Sequence, residues 1–482
     1  MTAGNQDLQD GALEARGLLT SDNLLKAAEC IAQVKANKLK TVRILFADQH
    51  GILRGKTILA EAFASVFTAG ICVPNTLLLK DTSHRTAFPV WTQDAAGLDA
   101  GAGDILLVPD PATFRILPWT DASAWIFCSA VSKSGAELPF SPRPLLAKAI
   151  DKLAATGRQL TVGLEVEFHV FDRVDDRLDH PAATMPGQPI ETRNITQGYQ
   201  FLTEQRFDQA EPVLEMLRHN AQALGLPVRS LEVEMGPSQF EFTFAPDDPM
   251  RHADNMMMFR AMVKETCARQ GLHATFMCKP NVPNAAASGW HIHQSLCDTG
   301  GKNLMMPSSD GALSPDASAW IAGLLDHAEA SCLLTTPTIN GYKRYQPHQL
   351  APDRILWGYD NRGAMIRAIM AADDRASRIE NRVPEPSANP YYVFASQILS
   401  GLDGLERGLS APDPVETPYQ QDAKRLPENL LHAVEHFEKS DFYKNVLGQT
   451  FVDYLSEIRR SEWDRYHRTV SDWEQNEYFN LF

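Results

Sequence analysis

Polar and apolar positions alternate with period two through 161-TVGLEVEFHVF-171, the signature of a strand whose two faces differ. Gly163, Glu165, Glu167 and His169 share one face, and Val162, Leu164, Val166 and Phe168 share the other. The same alternation recurs in 231-LEVEMGPSQFEFTF-244, with Glu232 and Glu234 before a Gly236-Pro237 turn and Glu241 after it. It recurs again in 288-SGWHIHQSL-296, where His291, His293 and Ser295 align, and in 378-RIENRVPEP-386, where Arg378, Glu380 and Arg382 align. Helical spacing takes over elsewhere. After Ser21-Asp22, residues Leu24, Leu25, Ala28, Ile31, Ala32 and Val34 predict an amphipathic helix, and 145-LLAKAIDKLAATG-157 predicts another that ends at its glycine. Further helices are expected at about 209–225, 251–271, 316–334, 389–408 and 427–440, and a long amphipathic one over 450–479 whose aromatic stripe serves packing.

Near the start, 41-TVRILFADQHGILRGKTI-58 reads as a β-hairpin turning at Asp48 to Gly51, followed by strands at 104–110 and 124–131. The expected organisation is a disordered tail over 1–20, a small mixed domain over 21–135, a linker at 139-PFSPRP-144 and a catalytic domain over 145–482.

Composition changes this picture little. Of the 482 residues, 44% are hydrophobic and 22% charged, which is ordinary globular composition. The net charge of -15 argues against a nucleic-acid surface and favours cations such as metals or amines. Seven scattered cysteines without a C-x-x-C pair point to a reducing cytoplasm rather than a disulfide framework. No apolar run is long enough to span a bilayer, so no membrane partner is expected.

The polar strand faces change the picture a great deal. Two carboxylates side by side within a buried face repel each other unless a cation sits between them. Oxygen donors with an occasional imidazole suit Mg²⁺ or Mn²⁺ rather than zinc or copper. Arg344, Arg362, Arg367, Arg375, Arg378 and Arg382 exceed what acids already bound to metal require, and imply a second anion, phosphate or carboxylate. Any one of these motifs alone fits a solvated sheet face. Their conjunction, with apolar residues on each opposite face, points to a two-metal nucleotide site performing phosphoryl transfer.

The ordered motifs GLEVEF (163–168), EMGPSQFEF (234–242), SGWHIHQSL (288–296), INGYKRYQP (339–347), NRGAMIR (361–367), RIENRVPEPSANPY (378–391) and GLDGL (401–405) resemble those of glutamine synthetases, and more closely their glutamate–amine ligase relatives of the γ-glutamylpolyamine synthetase type. The resemblance implies an α+β fold: a small N-terminal β-grasp domain followed by a catalytic domain whose curved antiparallel sheet forms a funnel. It implies one metal on Glu167, Glu234 and Glu241 and a second on Glu165, His291 and Glu380. It also implies ATP-dependent formation of a γ-glutamyl phosphate that an amine then displaces. Arg344 and Arg382 would meet the amino acid's carboxylate and the transferring phosphate. Arg362, Arg367, Arg375 and Arg378 would neutralise nucleotide phosphates, and His293 and Ser295 would line the nucleotide side. A homo-oligomer of two stacked hexameric rings is implied as well.

Two departures matter. Six residues after the arginine of the Y-K-R motif, where glutamine synthetases carry a flap glutamate, stands Leu350. The D-G-S-S stretch that supplies a neighbouring subunit's aspartate is absent, and 70-GICVPNTLLLKD-81 stands in its place. Leucine neither attracts ammonium nor takes its proton, so the expected nucleophile is a larger primary amine. Ammonia is the alternative, and a non-catalytic binding relative is a second. In 284-NAAASGW-290, Ala286 and Ala287 replace residues that touch glutamate in the family, and Trp290 replaces a methionine. This leaves open a close analogue of glutamate, with Trp290 either adding bulk at the substrate or facing the hydrophobic side. Tyr419 lies near a tyrosine that some bacterial family members adenylylate, but its surroundings differ and no such control is expected.

Overall fold

A computed structural model describes residues 8, 11–88, 102–346 and 350–482. Two sheets organise it. In the first, β1 (Thr41–Ala47) and β2 (Leu53–Leu59) form the expected hairpin, pairing Thr41 with Leu59 through Ala47 with Leu53. Val42, Ile44 and Phe46 alternate into the core, as a half-buried strand requires. The strand β1 also runs parallel to β6 (Ser123–Ser132), and β3 (Ile71–Pro74), β4 (Asp104–Pro109) and β5 (Arg115–Ile116) complete the order β2-β1-β6-β4-β3 with β5 beside β6.

The second sheet is large, curved and mostly antiparallel. Its axis is the 18-residue β7 (Arg158–Asp175), flanked by β10 (Gln239–Phe244) and β9 (Val228–Val233) on one side. On the other side lie β12 (Trp290–Asp298), β15 (Arg378–Asn381), β14 (Ile366–Ile369) and β13 (Trp357–Tyr359). The strands β8 (Glu191–Asn194) and β11 (Leu272–Thr275) extend β7 at its far end. The apolar face is sealed by helices. Phe259 of the helix Pro249–Arg269 packs on Phe168 and Phe242 at 5.6 and 5.2 Å, and Phe394 of the helix Pro390–Glu406 packs on Trp290.

Several boundaries differ from the sequence expectation. The proline cluster 139–144 is no linker: Phe140 is buried and stacks on Tyr454, and Pro142 opens the helix Pro142–Ala154, where proline's fixed φ suits the first turn. Part of the expected 1–20 tail, 1–7 with 9 and 10, lies outside the described residues. In the remainder, Ala12–Ala15 forms a helical turn and Leu13 and Leu19 are buried, so this stretch is anchored rather than disordered. The helix Ser21–Ala36 buries Leu24, Ala27, Cys30 and Val34 and leaves Leu25 exposed. The expected helix at 316–334 is two, Pro315–Asp326 and Ala328–Thr335, broken at His327. The C-terminal one also divides, into Gln449–His467 and Asp472–Tyr478. Among the described residues no helix is long and apolar enough to cross a membrane, and all seven cysteines are free.

Candidate active site

Strand register assembles the acids. Glu165 lies opposite His291 and Glu167 opposite Glu241, while His293 lies opposite Glu380. Directly paired residues hold their Cβ atoms about 5 Å apart, which lets the side chains converge. Glu167, Glu234 and Glu241 bring ligand atoms within 4.8 Å of one another, as do Glu165, Glu241 and His291, and Glu165, His293 and Glu380. The tight imidazole contact in the Glu165–His293–Glu380 group is His293, whose Nε2 lies 2.8 Å from Glu165. His291 stands between the groups, its Nδ1 3.5 Å from Glu165 and 3.7 Å from Glu380 and its Nε2 3.6 Å from Glu167. That buried Nδ1 has no hydrogen-bond partner.

The first group, Glu167 with Glu234 and Glu241, and the pair Glu165 and Glu380 have opposite electrostatics. Burial, then repulsion from neighbouring acids, pushes the carboxyls of Glu167 and Glu241 well above the usual range, and burial does the same to Glu234. Burial alone would also raise Glu165, but the adjoining imidazoles of His291 and His293 hold it below the usual range. Burial opposes ionisation of Glu380 too, and Arg382 with the two histidines pulls it down. Burial and then Arg382 lower His291, so it presents a neutral imidazole, the form that ligates metal. Buried acid oxygens that repel one another, beside an orphaned imidazole nitrogen, fit hard divalent cations. Because the acids of the first group retain protons that a cation must expel, Mg²⁺ affinity should climb as pH rises through neutrality. Calorimetry in two buffers of different ionisation heat should read proton release on binding. An affinity that stays flat from pH 6 to 9 would overturn this.

The expected arginines fall into four settings. Arg367 and Arg382 both donate to Glu380, and Arg367 also reaches Asp360. Arg378 donates to His293 Nδ1 at 3.0 Å, fixing that ring's tautomer toward Glu165. Arg344 is buried, donating to the carbonyls of Arg382, Val383 and Pro384 at 2.9–3.2 Å. Its Nη2 comes so close to Gly289 that a Cβ there would sit 2.7 Å away, and only glycine fits. Arg362 and Arg375 are exposed. A cavity of about 890 Å³ opens beside Glu165, lined in part by His293, Ser295, Arg375 and Arg378. It is lined as well by Arg229 and Lys302, which the motif reading missed because each is a lone basic residue outside any pattern.

On the opposite side, Gly289 N donates to Glu167, and Gln239 Nε2 bridges Glu167, Ser288 and the Ala287 carbonyl, so the 286–289 loop is pinned to the acids. Ala286 packs on Gly236. Trp290 is fully buried and meets Phe394 edge-on at 5.6 Å, so strand alternation turns it to the hydrophobic face and it adds no bulk at the substrate. Tyr199, also missed, donates its N–H to Met235 O at 2.7 Å and its hydroxyl to Asn284 O at 3.4 Å, bridging the Glu234 turn to the 284–287 loop. Leu350 adopts φ +53°, is 49% exposed, and donates its N–H to the Tyr419 hydroxyl at 3.1 Å. Residues 347–349 of the same stretch lie outside the described residues.

Comparison with known proteins accords with this geometry. The profile described as "Glutamine synthetase, catalytic domain" matches residues 139–478. A γ-glutamylanilide synthase from Acinetobacter sp is 38% identical over 94% of this chain and 96% of its own. A γ-glutamylethanolamide synthetase from Streptomyces coelicolor is 32% identical over 97% and 98%, and a glutamine synthetase from Halobacterium salinarum is 32% identical over 93% and 95%. The solved structure described as "Apo GmaS without ligand" superposes with a TM-score of 0.79 at 27% identity, covering 94% of this chain and 99% of that one.

Proposed function

Because the chain belongs to the glutamine synthetase family, we propose that it is an ATP-dependent ligase joining the γ-carboxyl of glutamate to a primary amine other than ammonia. The observation that carries the choice of amine is Leu350, an apolar, half-exposed residue where glutamine synthetases carry a flap glutamate, in a chain whose acids and arginines are otherwise complete. Glu167, Glu234 and Glu241 would hold one divalent ion and Glu165, His291 and Glu380 another, with nucleotide in the adjoining cavity. Bound ATP would supply the phosphoryl group that activates the carboxylate as a γ-glutamyl phosphate, with ADP as the leaving group, and the ions would neutralise phosphate charge.

The chain's own groups do the rest. Arg344 and Arg382, beside Glu167, orient the acid and take up charge developing at its γ-carboxyl. Arg362, Arg367, Arg375 and Arg378 direct phosphates, and His293 with Ser295 shapes the nucleotide side. Ala286 and Ala287 border the acid, and their small size leaves its backbone room. Leu350 and Tyr419 give the amine's carbon body an apolar seat and keep water from the activated carboxyl.

The first sheet with its helices, over 21–135, is read as a β-grasp domain and 145–482 as the catalytic one. Stacked hexameric rings are the assembly the family resemblance implies, and the exposed C-terminal aromatics Trp473, Phe479 and Phe482 offer apolar surface to a neighbouring copy. A cytoplasmic setting agrees with seven free cysteines.

An amine panel tests the reading. With ATP, Mg²⁺ and glutamate, an organic amine such as aniline, isopropylamine, ethanolamine or putrescine should release phosphate and form its γ-glutamyl amide at least about tenfold faster than ammonium does. Ammonium giving the highest rate would instead favour a glutamine synthetase.

A further inference from the structure

Glu385 lies outside every motif role assigned above, yet it is a fully buried carboxylate that accepts only from uncharged donors. Thr338 donates to it twice, from its N–H at 3.1 Å and from its hydroxyl at 2.9 Å, and Ser387 Oγ adds a third bond at 3.0 Å. The Thr338 hydroxyl in turn accepts from Gly341 N at 3.0 Å. Gly341 lies so close that a Cβ there would stand 2.1 Å from Glu385 Oε2. Gly341 opens the short helical turn Gly341–Arg344, so the carboxylate fixes the turn that carries Arg344.

The other end of that turn is held by the same strand exit. Arg344 donates to the carbonyls of residues 382, 383 and 384, immediately before Glu385. Asn340, which caps the turn, exchanges two bonds with the Lys279 backbone, and Cys278, next to Lys279, bonds the Ser288 backbone beside Gly289. Burial pushes the Glu385 carboxyl up to about 7, so keeping a carboxylic acid here costs stability that a neutral apolar residue would not. Its two oxygens meet three donors, a demand that glutamine, with one oxygen, meets only in part.

We infer that Glu385 is a positioning residue which, through Thr338 and Gly341, sets the turn that presents Arg344 to the amino-acid substrate. The inference rests on the reading that Arg344 meets that substrate. Losing one of the three bonds should then loosen binding of the acid without touching the nucleotide cavity.

The test compares Glu385→Gln, Thr338→Val, Thr338→Ser and Arg344→Lys in the full chain. Glu385→Gln and Thr338→Val should each raise KM for glutamate about tenfold, with kcat changing less than about threefold and KM for ATP unchanged. Thr338→Ser, which keeps the hydroxyl, should restore the parent value, and combining Glu385→Gln with Thr338→Val should add little to either alone. If Arg344→Lys raises KM for glutamate while Glu385→Gln and Thr338→Val do not, the inference is overturned and the functional reading stands. If Arg344→Lys also leaves it unchanged, the reading of Arg344 fails and the inference falls with it. Equal rises in KM for ATP and for glutamate would reduce Glu385 to a general structural role and overturn it as well.

Discussion

Glu241→Gln should lower turnover by about 10²–10³-fold and yet make the metal-free protein melt slightly higher. The sign follows from the site's electrostatics. Burial first, then Glu167, Glu165 and Glu234, holds the Glu241 carboxyl above its ordinary range. A carboxyl raised in the folded state contributes its stability below the unfolded pKa and loses it as pH rises through the folded one. In the metal-free protein this acid therefore opposes folding as pH climbs toward its raised pKa, and a neutral amide of the same shape relieves the strain. The gain should be ~1–2 kcal/mol, roughly 1–2 °C in a chain of this length. The same substitution removes an oxygen charge from the Glu167–Glu234–Glu241 group, so the rise in melting temperature on adding Mg²⁺ should shrink sharply. Thermal melts with and without Mg²⁺, paired with steady-state rates, read both effects. A variant that melts lower without metal and keeps the full Mg²⁺ shift would show that these acids are not a cation site.

The polar funnel was legible because strand alternation is local. Glu165, Glu167, Glu241, His291 and Glu380 declare their face by period two, and the pairing of Glu165 with His291 and Glu167 with Glu241 needs only antiparallel neighbours. Trp290 obeys the same rule and was left open only because it sits at the first position of its strand, where the pattern has one neighbour to lean on. What depended on distant partners was not legible. Phe140 sits in a proline-rich stretch that reads as a linker, and its burial comes from Tyr454, more than 300 residues away. The break at His327 arises where the ring bonds Asp403 at 2.7 Å and stacks on Phe442, neither of which periodicity reveals. Tyr419, at which no modification is expected, accepts from Leu350 N through its hydroxyl, an encounter between segments 69 residues apart that no local pattern announces. Glu385 stood inside a recognised motif, but its importance lies in the turn it braces and not in any spacing.

Leu350→Glu should shift the preferred nucleophile toward ammonia by about 100-fold in product ratio, roughly tenfold gained by ammonium and tenfold lost by the organic amine. The gain comes from charge: a carboxylate on the flap attracts a small cation and can take its proton, which leucine cannot. The loss comes from surface: an apolar amine that packs on the exposed part of Leu350 forfeits burial worth about 25 cal/mol per Å². Leu350 also holds a left-handed backbone, φ +53°, anchored by Tyr419, so any substitution tests backbone and side chain together. Leu350→Asn separates them, since asparagine tolerates that conformation and carries no charge. It should weaken the organic amine without recruiting ammonium. Tyr419→Phe, which removes the acceptor for Leu350 N but keeps the ring, should raise KM for the amine while leaving the ammonia-to-amine product ratio near the parent value. Equimolar competition between ammonium and the best amine of the panel, with both amides quantified by mass spectrometry, measures the ratio directly. A Leu350→Glu variant whose ratio stays within about twofold of the parent would show that the flap side chain does not choose the nucleophile, and would move the source of selectivity to the Tyr199 and Glu234 side of the funnel.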